Sequence, residues 1–344
     1  MSNPSVSPLS RWAATGTILL TLLGWSSIPL FLKHFTDLID PWTANGWRYL
    51  FSALLWLPVL LIGHSRRTLP QNLWRAALVP SIFNALGQLL FGLAPYFIDP
   101  GLMTFGLRLQ IVFVGIGAAL FFPAERALLK HLPFLIGLVV VFCATLFTIA
   151  SKKGPDGSEN SILTIDLTDE RTVKGVLCAI GSGFFYGLYA LSVRRWMTHM
   201  PAFTAFAAVS QYTAVLLLIP MLIFAKTKAS EHDFGMQALD LSPTQFGLLI
   251  LSSVIGIGLG HTMYFFSLAR LGLAVSSGVV QLQPIVVSIA SIWLFSEQLT
   301  ERQWWGGGVA VTGAIWMLAV QHRFANRRAA VLHSEPLPHG RGSE

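Results

Sequence analysis

Between positions 12 and 320 the chain is a succession of apolar runs, each about twenty residues long, separated by short polar connections. Nothing else in the sequence constrains the fold as strongly. Crossing roughly 30 Å of hydrocarbon takes about 20 apolar residues in a helix. Lipid offers no hydrogen bonds, so a spanning segment must satisfy its own backbone. Only 11% of the 344 residues are charged, against about a quarter in soluble domains, and the mean hydropathy is +0.62. The sequence therefore reads as an all-α polytopic membrane protein. Its net charge of +7 is explained by basic loops that fix orientation, and nucleic acid is not an expected partner. Cys143 and Cys178 both sit inside apolar runs without ligand-like spacing, so no disulfide, metal site or cofactor is expected. The run after Arg11 is too long for a signal-peptide core and lacks an A-x-A-like cleavage site, so it reads as a first span.

Apolar windows predict ten transmembrane helices, at 12–32, 42–62, 76–97, 101–122, 132–150, 175–193, 202–225, 246–266, 272–295 and 304–320. One set of loops carries Arg66, Arg67, Arg75, Arg126, Lys130, Arg194, Arg195 and Arg270; the alternate set carries Asp37, Asp40, Asp99, Glu231, Asp233 and Asp240. The positive-inside bias places both termini in the cytoplasm, in a plasma membrane of prokaryotic type (the inner membrane if Gram-negative). The expected organisation is a cytoplasmic segment at 1–11, a five-helix unit at 12–150 and an external linker at 151–174. A second five-helix unit follows at 175–320, then a disordered cytoplasmic tail at 321–344.

The two units resemble each other. GQLLFGLAPYFIDPGLMTFGLRLQ (87–110) aligns with GHTMYFFSLARLGLAVSSGVVQLQ (260–283) at a constant offset of 173. Gly87 meets Gly260, Phe91 meets Tyr264, and Arg108-Leu109-Gln110 meets Gln281-Leu282-Gln283. Each copy then runs to an acid, Glu125 in FFPAER and Glu297 in LFSEQL. Earlier, GWSSIPLFLK (24–33) resembles FYGLYALSVR (185–194) at offset 161, which aligns Trp25 with Tyr186. A unit of five spans is odd, so its second copy enters the membrane the opposite way. Such an inverted repeat lets two halves rock about a site near the bilayer midplane.

These features resemble the EamA-type branch of the drug/metabolite transporter superfamily. The resemblance rests on Gly24-Trp25-Ser26-Ser27 and Lys33, on Pro41 before Arg48, and on QLQPIVVSIASIWLFSEQLT followed by Gly308 and Gly313. It is looser in spans three to five, where Ile111 stands in place of Pro284. The resemblance implies a secondary transporter of amino acids or other small metabolites, with related branches carrying nucleotide sugars or phosphorylated sugars.

Candidate site residues follow from polarity inside the spans. Arg48 and Arg108 lie about six and seven residues into spans that start outside, hence roughly 10 Å deep, with no deep carboxylate to neutralise them. Either they snorkel to the outer interface, or they face a wet cavity and await an anion that suits a guanidinium fork. Gln88, Gln110, Gln211, Gln281 and Gln283 could complete such a site or serve as interhelical glue. Trp25, Tyr186 and Tyr264 are candidate lining rings, with ordinary packing as the plainer reading. His261 is the histidine inside a span, a proton relay or a packing residue. Glu125 and Glu297 read first as helix-terminal residues bonding loop amides, and second as gate or coupling groups.

The expected function is movement of a small organic anion or zwitterion by alternating access, as an exporter or exchanger. Its partners are the substrate and the bilayer, with a homodimer left open. A nucleotide-sugar or phosphorylated-metabolite exchanger is the alternative within the class; a membrane scaffold and an intramembrane enzyme are the rivals outside it. An enzyme needs a nucleophile with a base, a carboxylate pair or a metal cluster, and the spans supply none. The topology predicts that a cysteine at position 160 reacts with an impermeant maleimide on intact cells, whereas one at position 340 does not. Labelling of both, or of the tail alone, would reverse the assignment.

Overall fold

A computed structural model describes residues 8–151, 169–227, 231–271, 273–297 and 299–334. Its helices are α1 (Pro8–Phe35), α2 (Pro41–Ser65), α3 (Leu73–Leu93), α4 (Pro100–Leu107), α5 (Gln110–Phe121), α6 (Leu132–Ala150) and α7 (Glu170–Trp196). They continue as α8 (Ala202–Phe224), α9 (Pro243–Ser253), α10 (Gly260–Leu271), α11 (Leu273–Val280), α12 (Gln283–Phe295) and α13 (Glu301–Ser334). Among the described residues there is no strand, only an isolated bridge between Lys226 and His232.

Nine helical segments among the described residues are long and apolar enough to cross a membrane. The expected tenth span, 304–320, lies within α13, which is not one of the nine; the glycines Gly306–Gly308 and a start at Glu301-Arg302-Gln303 dilute its apolarity. α13 also continues to Ser334, so the disorder expected from 321 onward does not describe 321–334. That stretch is rich in Ala and Arg, good helix formers. Most of the expected linker, 152–168, and the final residues 335–344 lie outside the described residues.

Local chemistry sets the helix ends. Proline occupies the first turn of α2, α4, α6, α9 and α12, where its missing N–H costs no helical hydrogen bond. Asp40 caps α2 by accepting from the Trp42 and Thr43 amides at 2.8 and 3.1 Å. Ser242 and Gln245 form a capping box on α9.

The helices pack in matched pairs: α2 against α8, α6 against α13, and α3 against α7 as α1 against α10. Leucines and aromatics such as Leu19, Leu54, Leu61, Leu120, Leu177 and Trp293 point outward, an apolar exterior suited to lipid. Two expected spans are broken. α4 stops and α5 begins across a turn at Arg108–Leu109, and α11 gives way to α12 across a turn at Gln281–Leu282. Two backbone bonds of each turn correspond. Arg108 N–H donates to Phe105 O (3.1 Å) and Leu109 N–H to Gly106 O (3.2 Å); Gln281 N–H donates to Gly278 O (3.2 Å) and Leu282 N–H to Val279 O (3.1 Å).

A further irregularity is a π-helical stretch, Val254–Leu259, between α9 and α10. Insertions of this kind bend a helix and free carbonyls, and the Gly256 carbonyl accepts from Trp25 Nε1 at 3.1 Å. Gly183 on α7 abuts the first break. A methyl there would lie 2.6 Å from Leu107 O and 3.2 Å from Gln110 N, both backbone atoms. Gly183→Ala should therefore destabilise the detergent-solubilised protein by about 1–3 kcal/mol, read as a lowered thermal midpoint; an unchanged midpoint would show that α7 is free to move away.

Candidate functional site

Arg48 stands on the inner face of α2 and is 1% exposed. It does not snorkel. Its Nε donates to Ser252 Oγ at 3.1 Å, and its carbonyl accepts from Ser253 Oγ at 2.6 Å. Ser252 Oγ itself donates to Leu249 O at 2.7 Å, which leaves its oxygen free to accept from Arg48. Nη1 is buried and has no hydrogen-bond partner. The phenols of Tyr49 and Tyr186 are its titratable neighbours. Among the described residues no carboxylate pairs with it.

Arg108 occupies the first helix break. Its buried Nε lacks a partner, and its titratable neighbour is Tyr264 on α10. A cation at the C-terminus of α4 complements that helix's dipole; Gln281 holds the matching position in the other half without charge. The two arginines thus share one condition. Arg48 is buried and Arg108 half-buried, and each keeps one buried donor without a partner, an arrangement favourable only when an anion or water meets it.

The aromatic candidates fall into two matched pairs. Trp25 lies 5.2 Å from Tyr264, and Tyr186 lies 6.2 Å from Phe91, measured between ring centroids. Trp25 aligns with Tyr186 and Tyr264 with Phe91, so each pair joins one half of the chain to the other. The aligned glycines make room for them: a methyl on Gly87 would meet the Tyr186 ring, and one on Gly260 the Trp25 ring.

The amides divide. Gln283 Nε2 donates to the Trp25 carbonyl (2.8 Å) and Gln211 Nε2 to the Ala53 carbonyl (2.8 Å), which makes both interhelical ties. Gln88 and Gln281 are buried, and Gln110 half-buried at the start of α5. His261 opens α10 beside the π-helical stretch. Its ring Nδ1 is 3.0 Å from Ile257 O, it stacks on Phe206 at 4.5 Å, and it meets Trp25 edge-on at 5.3 Å.

Glu297 departs from expectation. Instead of bonding loop amides, both its carboxylate oxygens are buried and unpartnered. The neighbouring amides are taken instead by Thr300 and Gln303, which cap α13 reciprocally. Of Glu125 only the backbone, in a 3-10 turn, is described.

Sequence reasoning passed over Ser252 and Ser253, whose adjacency in the middle of a span was the available signal. It also passed over Asn45, which donates to the Gln88 carbonyl (3.1 Å), and Thr213, whose Oγ1 accepts from Asn84 Nδ2 (3.0 Å). None of these central residues lines the described cavity of about 550 Å³, an apolar groove between α6 and α13 bounded by Gly137, Trp305, Gly308 and Trp316. Because Arg48 has one side-chain bond and no ion pair, Arg48→Met should change folding stability by no more than about 1 kcal/mol, or raise it. A loss of about 3 kcal/mol or more in thermal unfolding would make Arg48 a structural strut.

Known proteins agree with this architecture. A solved crystal structure superposes over 92% of this chain and 99% of its own with a TM-score of 0.58 at 14% identity, which establishes a shared fold. The chain is 29% identical over 70 residues to a probable 4-amino-4-deoxy-L-arabinose-phosphoundecaprenol flippase subunit, ArnE, of Aeromonas salmonicida. That match spans 20% of this chain and 61% of the relative's length. The model of the EamA-like transporter family matches twice, at residues 12–150 and again at 173–319. The chain is a member of the EamA-like transporter family, and a membrane transporter of the drug/metabolite type.

Proposed function

We propose that this transporter moves a small organic anion or zwitterion, such as an amino acid, across the plasma membrane by alternating access between two inverted five-helix repeats. The observation that carries this reading is that Arg48 and Arg108 are, among the described residues, the two arginines that keep a buried donor without a partner. A guanidinium fork matches a carboxylate or phosphate in geometry and charge. Gln88, Gln110 and Gln281, with the Trp25–Tyr264 and Tyr186–Phe91 pairs, would complete the site.

Support for the inverted repeat comes from correspondences harder to match by chance than apolar residues. The breaks at Arg108–Leu109 and Gln281–Leu282 share the 173-residue offset, as do their turn hydrogen bonds. The helix pairings exchange consistently under the same relation, and the family model matches each half separately. Under that relation 304–320 of α13 is the tenth span, the counterpart of α6, and both termini face the cytoplasm. Discontinuous helices meeting near a midplane site are a recurrent transporter device. A phosphorylated metabolite is the second reading, favoured by the presence of two arginines where a monocarboxylate needs one. The name of the Aeromonas relative concerns a lipid-linked amino sugar, and its partial match leaves that substrate a weaker candidate here.

The test is efflux of a panel of labelled amino acids and phosphorylated metabolites from proteoliposomes. Arg48→Gln or Arg108→Gln should lower apparent affinity for the accepted substrate about 10- to 100-fold, the worth of a charge-assisted hydrogen bond. Wild-type transport of every accepted substrate by both variants would remove the anion-binding role.

A further inference from the structure

One buried charge is not used by the transport reading. After α12 the chain turns through Ser296 in a left-handed conformation (φ 55°, ψ 30°), and the Glu297 amide donates to Ser291 O at 3.4 Å. This turn holds the Glu297 side chain inside the protein, at 7% exposure. Neither carboxylate oxygen has a hydrogen-bond partner. Capping of α13, the structural task nearest to hand, belongs to other residues. The Thr300 amide donates to Gln303 Oε1 at 2.9 Å, and the Gln303 amide donates to Thr300 Oγ1 at 3.2 Å.

Two more oxygens share this condition. Ser288 and Ser291 are three residues apart on α12, hence on one face. Both are fully buried, and both hydroxyls lack partners. Gly101, in the first turn of α4, shows how close the groups stand. A methyl on it would lie 2.9 Å from Ser288 Oγ and 3.3 Å from Glu297 Oε2. The two oxygens flank one spot, and the absence of a side chain at Gly101 keeps that spot clear.

Among the described residues no basic side chain hydrogen-bonds to Glu297; the basic groups on the facing helices include Lys33 of α1 and Arg302 of α13. α12 packs against α4, α1 and α13. Asp99, which precedes α4, is exposed and tied to Lys33 of α1 at 3.2 Å. Glu301 at the start of α13 is exposed and takes the Trp305 indole N–H at 3.3 Å. A buried carboxylate left in this state is strongly disfavoured as an anion.

We propose that Glu297, Ser288 and Ser291 form an occluded site for one exchangeable monovalent cation, either a proton or Na⁺. One carboxylate balances one positive charge, which fixes the valence. The donors are all oxygen, with no imidazole or thiolate among them, which suits a hard ion over a transition metal. Binding converts an unpaired buried anion into a neutral unit, so occupancy stabilises the folded protein. The site shares no residue with the proposed arginine site and does not depend on the transported substrate.

Thermal unfolding of the purified full-length protein tests this without knowledge of the substrate. In the sodium arm, NaCl replaces choline chloride at constant ionic strength and fixed pH. In the proton arm, pH is lowered in sodium-free buffer. The wild type should gain about 2 °C per tenfold rise in the bound ion above its dissociation constant, in one arm or both. Glu297→Gln, a neutral isostere, should abolish that dependence while unfolding at or above the wild-type temperature. Gly101→Ala, which crowds the site without changing charge, should raise the Na⁺ midpoint at least tenfold in the sodium arm and leave the proton arm nearly unchanged. A wild type insensitive to both ions, or a Glu297→Gln protein with undiminished dependence, would overturn the proposal. Loss of transport alone would bear on the arginine site and not on this one.

Discussion

Every polar group inside this protein must find its partner within the protein, because the surrounding lipid provides none. Most obey. Ser52 meets Ser210 (3.0 Å), Asn84 meets Thr213, and Thr17 meets Ser267 (2.7 Å), each across helices. Against that background the unused donors of Arg48 and Arg108 are the positive charges whose demand the fold leaves unmet, as Glu297 is the negative one. A family of transporters gives that demand a purpose, since a substrate can meet it in transit.

Position makes this demand the basis of the proposed site. Arg108 lies at a helix break, where backbone groups no longer pair along a helix, and Arg48 is fixed by serines from α9. The breaks, the aromatic pairs and the glycines beneath them come from both halves of the chain, so a rocking motion of one half against the other would reshape all of them together. The asymmetries then matter as much as the likeness. Arg108 faces Gln281, and the π-helical stretch before His261 falls in the second half, where Trp25 bonds the carbonyl of Gly256.

Much of this was legible in the sequence. Runs of apolar residues marked nine segments that are spanning helices by length and composition, and the repeat aligned Arg108 with Gln281, although nothing in one dimension shows that a turn, not a helix, occupies those positions. Apolarity alone overlooked Ser252 and Ser253, because two hydroxyls barely alter a span's hydropathy while anchoring its most buried cation. The first of the two readings of Glu297 also fails. A helix-end acid followed by Thr and Gln fits a capping reading, and only the three-dimensional turn at Ser296 reveals that Thr300 and Gln303 take the amides and leave the carboxylate inside. The helical continuation to Ser334 was missed for a related reason, since the tail's charge was weighed over its helix propensity.

The central claim is that polar groups at the two breaks border a space open to water from either side of the membrane in turn. Cysteine accessibility measures this directly, with Cys143 and Cys178 replaced and single cysteines introduced at Gln110, Gln281 and the outward-facing Trp293. A charged, impermeant thiol reagent applied to right-side-out and to inside-out vesicles should modify positions 110 and 281 in both orientations and spare position 293. If 110 and 281 stay as inert as 293 from both sides, the interior is dry packing and no transport pathway runs between the halves.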